Sequence, residues 1–148
     1  MRFGMFLLVS AALAMAQDFA FQVASPVASL DFHFKAATFV FRTTGCSSAE
    51  VPKISASAEG VNNHQRQSVP LKVVEGSKPG VYAVFQSWPR DGQWLVDLGG
   101  TCGSATAGAL IPIGRNEFNR ESAKFFSHRP TNSEIQASLT ELAQRGNK

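Results

Sequence analysis

Between Gln17 and Arg115, apolar and polar side chains alternate in short runs separated by turn residues. Phe19, Phe21 and Val23 fall on one side of the first run, Leu30, Phe32 and Phe34 on one side of the second, and Phe39 and Phe41, within "ATFVFRTTGC", on one side of the third. A period of two puts alternate residues on one face of a half-buried antiparallel strand. "VPKISASAEG" continues as a weaker strand, and "QSVPLKVVEG" sets Val69, Leu71 and Val73 on one face. Pro70 directs that strand to a sheet edge, because proline has no N–H to give to a ladder. "GVYAVFQSW", "QWLVDLGG" and "ATAGALIPIGR" complete the series. Parallel sheets need helical crossovers of roughly ten residues or more between strands, and none occurs here. The pattern predicts an all-β fold, an antiparallel β-sandwich of about seven or eight strands.

In "WPRDGQW", Pro89 presets φ for a turn and Gly92 supplies a positive φ at its end. Tyr82–Trp88 and Gln93–Leu98 are therefore expected to pair as a hairpin. Trp94, Val96 and Leu98 share a face, with Trp94 as the large residue between the sheets. Trp88, beside the turn, is expected to matter less to stability. With Arg90 and Asp91 it forms a candidate surface for a ligand or partner, where an exposed indole would stack on a sugar or peptide.

The pattern changes after Arg115. "NEFNRESAKFFSHR" is polar with Phe118, Phe125 and Phe126 as isolated anchors, and reads as a strap over the core or a short helix. "TNSEIQASLTELAQRG" has the marks of a small α-helix. Thr131 and Glu134 have capping-box spacing, Ile135, Leu139 and Leu142 line one face, and Gly146 follows as a stop. Such a short helix must bury its stripe on its own sandwich or on a partner.

The first residues set the compartment. Arg2 precedes an apolar run from Phe3 to Ala16 that closes on Ala14-Met15-Ala16, the small-x-small pattern of a signal-peptidase site. The run is shorter than the ~20 residues of a spanning helix. The expected organisation is a signal peptide at 1–16, a sandwich at 17–115, and a strap with a helix at 116–148. The product would be secreted or periplasmic. Sixteen residues removed from 148 leave 132, enough for one domain with a core. All three methionines leave with the signal, and the balance becomes 13 Lys and Arg against 11 Asp and Glu. That charge is too weak and too dispersed for nucleic acid or an anionic membrane. Cys46 and Cys102, the two cysteines of an exported chain, are expected to form a disulfide.

Candidate chemistry is sparse. A soft copper site wants thioethers or thiolates, and the mature chain has neither methionine nor expected free cysteine. His33, His64 and His128 stand far apart with no zinc-ligand spacing among them. His33 is expected to point outward from a strand. No metal, cofactor or catalytic residue is assigned. "GGTCGSATAGA" places Ser104 among glycines without a Gly-x-Ser-x-Gly elbow, and reads as the loop after the Cys102 strand. No phosphate-binding Gly-Lys-Ser/Thr is present. Eleven scattered acids leave a carboxylate pair open, since separation is a property of the fold.

The spacing of Gly80, Tyr82, Trp88, Pro89, Gly92, Trp94 and Val96, within about residues 69–98, resembles the carboxyl half of the YtkA-like and FixH-like extracytoplasmic domains. The resemblance implies an immunoglobulin-like sandwich. Some of those domains are linked to copper handling or to respiratory-complex assembly through Met and His positions. The corresponding region here, "AEGVNNHQRQSV", offers only His64. The expected function is a non-catalytic binding or accessory module with a protein or glycan partner in the cell envelope. A small metal-handling protein of the YtkA-like type is the alternative, and an unrecognised hydrolase the third.

Overall fold

A computed structural model describes residues 18–47, 49–114 and 118–146. The segment read as a signal peptide, and the boundary at 115/116, lie outside the described residues. Among the described residues, nine strands, β1 (Ala20–Ala24), β2 (Phe39–Thr44), β3 (Lys53–Asn62), β4 (Gln65–Leu71), β5 (Val73–Glu75), β6 (Val81–Val84), β7 (Gln93–Cys102), β8 (Ala105–Ile113) and β9 (Lys124–Phe126), precede one α-helix, α1 (Asn132–Gly146). They form two antiparallel sheets, ordered β1-β2-β6-β5 and β4-β3-β7-β8-β9. The molecule is an all-β sandwich with a short carboxyl-terminal helix.

Alternation explains the filling. Phe21, Val23, Phe39 and Phe41 from the first sheet, with Phe19 just before it, meet Ala58, Trp94, Val96, Leu98, Ala109 and Ile111 from the second in one buried cluster. The opposite faces are also covered. Phe34 and Ala37 pack on Val40 and Ala83 outside the first sheet. Ile135 and Leu139 of α1 pack on Leu95 and Leu110 outside the second. The helix thus spends its stripe on its own domain. Its capping box forms as the spacing predicts: Glu134 N donates to Thr131 Oγ1 at 3.2 Å, and Thr131 N donates to Glu134 Oε2 at 2.8 Å.

Two connections follow turn chemistry closely. Asn63 and His64, at φ of 50° and 62°, make the two-residue β3–β4 turn, the left-handed pair of a type I′ hairpin. Gly103 and Ser104 make the β7–β8 turn, with Gly103 at φ 59°. Ser104 is therefore a turn residue.

Two expectations are corrected. Tyr82–Trp88 and Gln93–Leu98 do not pair as a hairpin: β6 lies in the first sheet beside β2 and β5, and β7 in the second beside β3 and β8. Residues 85–92 cross from one sheet to the other, eight residues where a hairpin of two or three would have kept both strands in one sheet. Leu30, Phe32 and Phe34 do not form a strand either. Pro26–Ala28 and Phe32–Phe34 are single 3-10 turns, each started by a side-chain cap: Ser25 Oγ accepts from Val27 N, and Asp31 Oδ1 from His33 N. His33 does face solvent, but from the second of these turns.

Candidate functional site

Among the described residues, a cleft of about 790 Å³ runs along β1. Four consecutive β1 residues, Phe21 to Ala24, line it, joined by Val40, Phe41 and Arg42 of β2 and Val81 of β6. Its roof is the irregular segment Ala28–Asp31, and its far wall carries Arg120 and Phe125.

Each wall has a local cause. β1 ends the first sheet, so its outer edge has no strand neighbour in that sheet. The roof is held by Asp31, whose Oδ2 accepts from Ser77 N at 3.1 Å and Ser77 Oγ at 3.2 Å while Oδ1 accepts from His33 N at 3.0 Å. Those donors, led by the Ser77 amide, hold the Asp31 carboxyl below its ordinary range. In β9, Lys124 pairs with Glu141 of α1 and Phe126 packs beneath the helix. Phe125 therefore turns to the opposite side, toward the cleft, and is 52% exposed. Leu30, on the roof, is 89% exposed. Monomeric surfaces seldom gather large apolar side chains around a concavity unless something occupies it.

The charged groups of the cleft are mostly cationic. Arg42, Lys78 and Arg120 line it against the single carboxylate of Asp31. Arg42 Nε donates to Gln22 Oε1 at 2.6 Å, across the β1–β2 pair. The ion pairs found among the described residues involve Arg66, Lys124 and His128, so these three cations have no carboxylate partner there.

A second group lies on the opposite side of the molecule, outside the second sheet. Glu59 accepts from Ser57 Oγ at 2.8 Å and Ser68 Oγ at 2.6 Å, with Arg66 at 3.7 Å. Asp97 is 8% exposed, and its Oδ1 has no hydrogen-bond partner. The Arg129 side chain crosses Gly99, two residues on and on the same face, with its Cγ 3.1 Å from where a β-carbon would stand. Burial pushes Asp97 up to about 6, Arg129 offsetting part of the rise and Glu59 adding to it. Helix α1 roofs this face, and the cavity beside Ser138 measures only about 10 Å³, room for no substrate.

A carboxyl held at a raised pKa destabilises the fold once it ionises. The folded state binds the Asp97 proton more tightly than the unfolded chain, so this group's contribution is fully favourable below pH ~4 and is lost as pH rises through about 6. Asp97→Asn should therefore be more stable than the parent at pH 7 by about 1–3 kcal/mol, with the difference vanishing near pH 4. Urea unfolding of both proteins between pH 4 and 7 checks this; a variant less stable at pH 7 than at pH 4, relative to the parent, would refute it.

The residues singled out in the sequence are distributed as follows. Cys46 and Cys102 form the expected disulfide, with Cα atoms 5.8 Å apart. Trp88 is 5% exposed and belongs to the main core, so it cannot offer a face to a ligand, and the surface expected of Trp88, Arg90 and Asp91 is corrected. The crossing loop turns its large apolar ring inward and leaves Arg90 and Asp91 exposed. The Asp91 carbonyl instead accepts from Trp94 Nε1 at 2.8 Å. Among the described residues, Cys46, Glu50 and Cys102 are one group with metal-type ligands close together. Its two sulfurs are bonded to each other, so it lacks thiolates. The three histidines lie on separate segments, and His128 Nε2 sits 3.0 Å from Glu134 at the start of α1.

Sequence reasoning missed the cleft because its walls come from four separate segments. The available signal lay in "SPVASLDF", where Ser25 and Asp31 are side-chain caps for turns and the apolar Val27 and Leu30 have no strand to join. Asp97 had a weaker signal, an acid within a central-strand run where acids are depleted.

Compared with family models, curated proteins and solved structures, the chain matches none of them. Among the described residues no helix is long and apolar enough to cross a membrane.

Proposed function

We propose that this chain acts outside the cytoplasm as a non-catalytic binding module whose ligand site is the cleft along β1. The observation that carries the proposal is the cleft itself. Its volume of about 790 Å³ lies within the ~300–1,000 Å³ of small-molecule sites, and its walls combine apolar side chains with a few convergent polar groups. The signal-like start of the chain and the Cys46–Cys102 bridge support an oxidising compartment.

The strand order supports an immunoglobulin-like assignment. Read as A-B-E-D, the sheet β1-β2-β6-β5 faces β4-β3-β7-β8 read as C′-C-F-G, with β9 added at the G edge. Cys46 follows strand B and Cys102 ends strand F, so the bridge joins the two strands that carry the inter-sheet disulfide of antibody domains. The E-to-F connection of such a domain crosses between sheets, as residues 85–92 do.

The neutral apolar dye N-phenylnaphthylamine, whose fluorescence rises in dry surroundings, tests the site. The exported protein should bind it saturably at one-to-one stoichiometry. Ala28→Trp places an indole in the mouth of the cleft from an exposed roof position, and should abolish the signal while leaving the urea midpoint unchanged. Absence of saturable binding in the parent, or full binding in the folded variant, would overturn the proposal.

A further inference from the structure

The charge of the cleft narrows its ligand. We infer that the occupant is a single-chain anionic amphiphile, a free long-chain carboxylate, with its chain along β1 and its head among Arg42, Lys78 and Arg120; the inference rests on the cleft being a binding site.

Charge complementarity argues for the head. Three cations and one carboxylate line the cleft, a net charge of +2 in a chain whose whole formal charge is +3. The one carboxylate is already engaged, since both oxygens of Asp31 accept hydrogen bonds from the roof and its tether. The cations are not so engaged: Arg42 gives one donor to Gln22 and keeps the rest of its guanidinium, and none of the three has an acidic partner among the described residues. Register places two of them together. Arg42 stands opposite Val81 across the β2–β6 pair, and Val81 N donates to Lys78 O at 3.3 Å, so Arg42 and Lys78 share one end of the first sheet. A guanidinium and an ammonium there, both exposed, favour a carboxylate through charge-assisted hydrogen bonds.

Apolar lining argues for the tail. From that end, Val23, Ala24 and Val40 continue the wall, while Leu30 and Phe125 present apolar surface to the same space. Leaving these side chains in contact with water is unfavourable, and a flexible alkyl chain fits an irregular trough better than a rigid ring. The concave shape suits an isolated molecule; a membrane leaflet would meet a convex or flat apolar patch.

Competition against N-phenylnaphthylamine decides the matter with three probes of equal chain length: palmitate, methyl palmitate and hexadecyltrimethylammonium. Palmitate should displace the dye at least tenfold more effectively than either of the others. Among shorter carboxylates, affinity should rise up to about fourfold per methylene until the cleft is full. Arg42→Ala with Arg120→Ala should bring palmitate and its methyl ester to within about twofold of each other, read as the ratio of the two probes in the same folded variant. If the dye binds but the three probes compete equally, the carboxylate assignment fails and the binding cleft stands; if the dye does not bind, the cleft itself fails. Co-sedimentation of the protein with phosphatidylglycerol vesicles, undiminished by Ala28→Trp, would replace the free amphiphile by a membrane surface and overturn the inference.

Discussion

Trp94→Ala and Trp88→Ala should each lower folding stability by about 3–5 kcal/mol, the usual range for truncating a buried tryptophan. Trp94 is 3% and Trp88 5% exposed, and both belong to the cluster between the sheets. The Trp94 ring lies directly over Gly60 of the neighbouring strand, its cross-strand partner, with no space for a β-carbon between them. Its truncation therefore opens a cavity walled by backbone, which cannot collapse inward, and strips the Asp91 carbonyl of a donor. Trp88 is held differently. It sits in the loop that carries the chain from one sheet to the other, where the backbone has more freedom to close over a missing side chain. Its loss should fall toward the lower end of the range and Trp94 toward the upper. Denaturant unfolding of both variants measures the difference; a cost below about 1 kcal/mol for Trp88 would place its ring outside the core and restore it as a surface residue.

The contrast between the two tryptophans marks where sequence stops being informative. Alternation identifies residues that share a face of one strand, and it placed Phe19, Phe21, Phe39, Phe41, Val96 and Leu98 inward correctly. It does not say which sheet the strand joins. Pro89 and Gly92 end one strand and start another whether the chain folds back or crosses over, so the same turn residues fit a hairpin and an arch. Pro70 was legible because its missing N–H has one structural consequence, and it does lie in an edge strand. The capping box at Thr131 and Glu134 was legible for the same reason: both partners are three residues apart in one segment. The three-residue strands β5 and β9 were not, because they are too short for a period and exist only through pairing with β6 and β8. The cleft is the extreme case, since Arg42, Lys78 and Arg120 come from three segments that nothing local relates.

Breaking the Cys46–Cys102 bridge should have an effect of similar size by a different route. The cysteines enclose 57 residues, and the chain-entropy account assigns a loop of that length about 4 kcal/mol. Cys46 follows β2 of the first sheet and Cys102 ends β7 of the second, so the bridge ties the sheets at one end of the sandwich while the aromatic cluster ties them along its middle. Cys46 is only partly buried, while Cys102 is 5% exposed within the main core cluster, with Glu50 Oε2 3.2 Å from its sulfur. Alanine at both positions keeps the β-carbons and leaves the rest of the core in place, so the fold should survive the loss, with the penalty arising mainly in the unfolded chain. Paired Cys46→Ala and Cys102→Ala substitution should lower the unfolding free energy by about 3–4 kcal/mol. The denaturant dependence should steepen slightly, because an uncrosslinked chain exposes more surface on unfolding. Near-native dye binding at the β1 cleft should persist in the folded variant. A loss under about 1 kcal/mol would mean that the bridge constrains little, and unfolding of the variant in the absence of denaturant would mean that the two sheets do not hold each other without it.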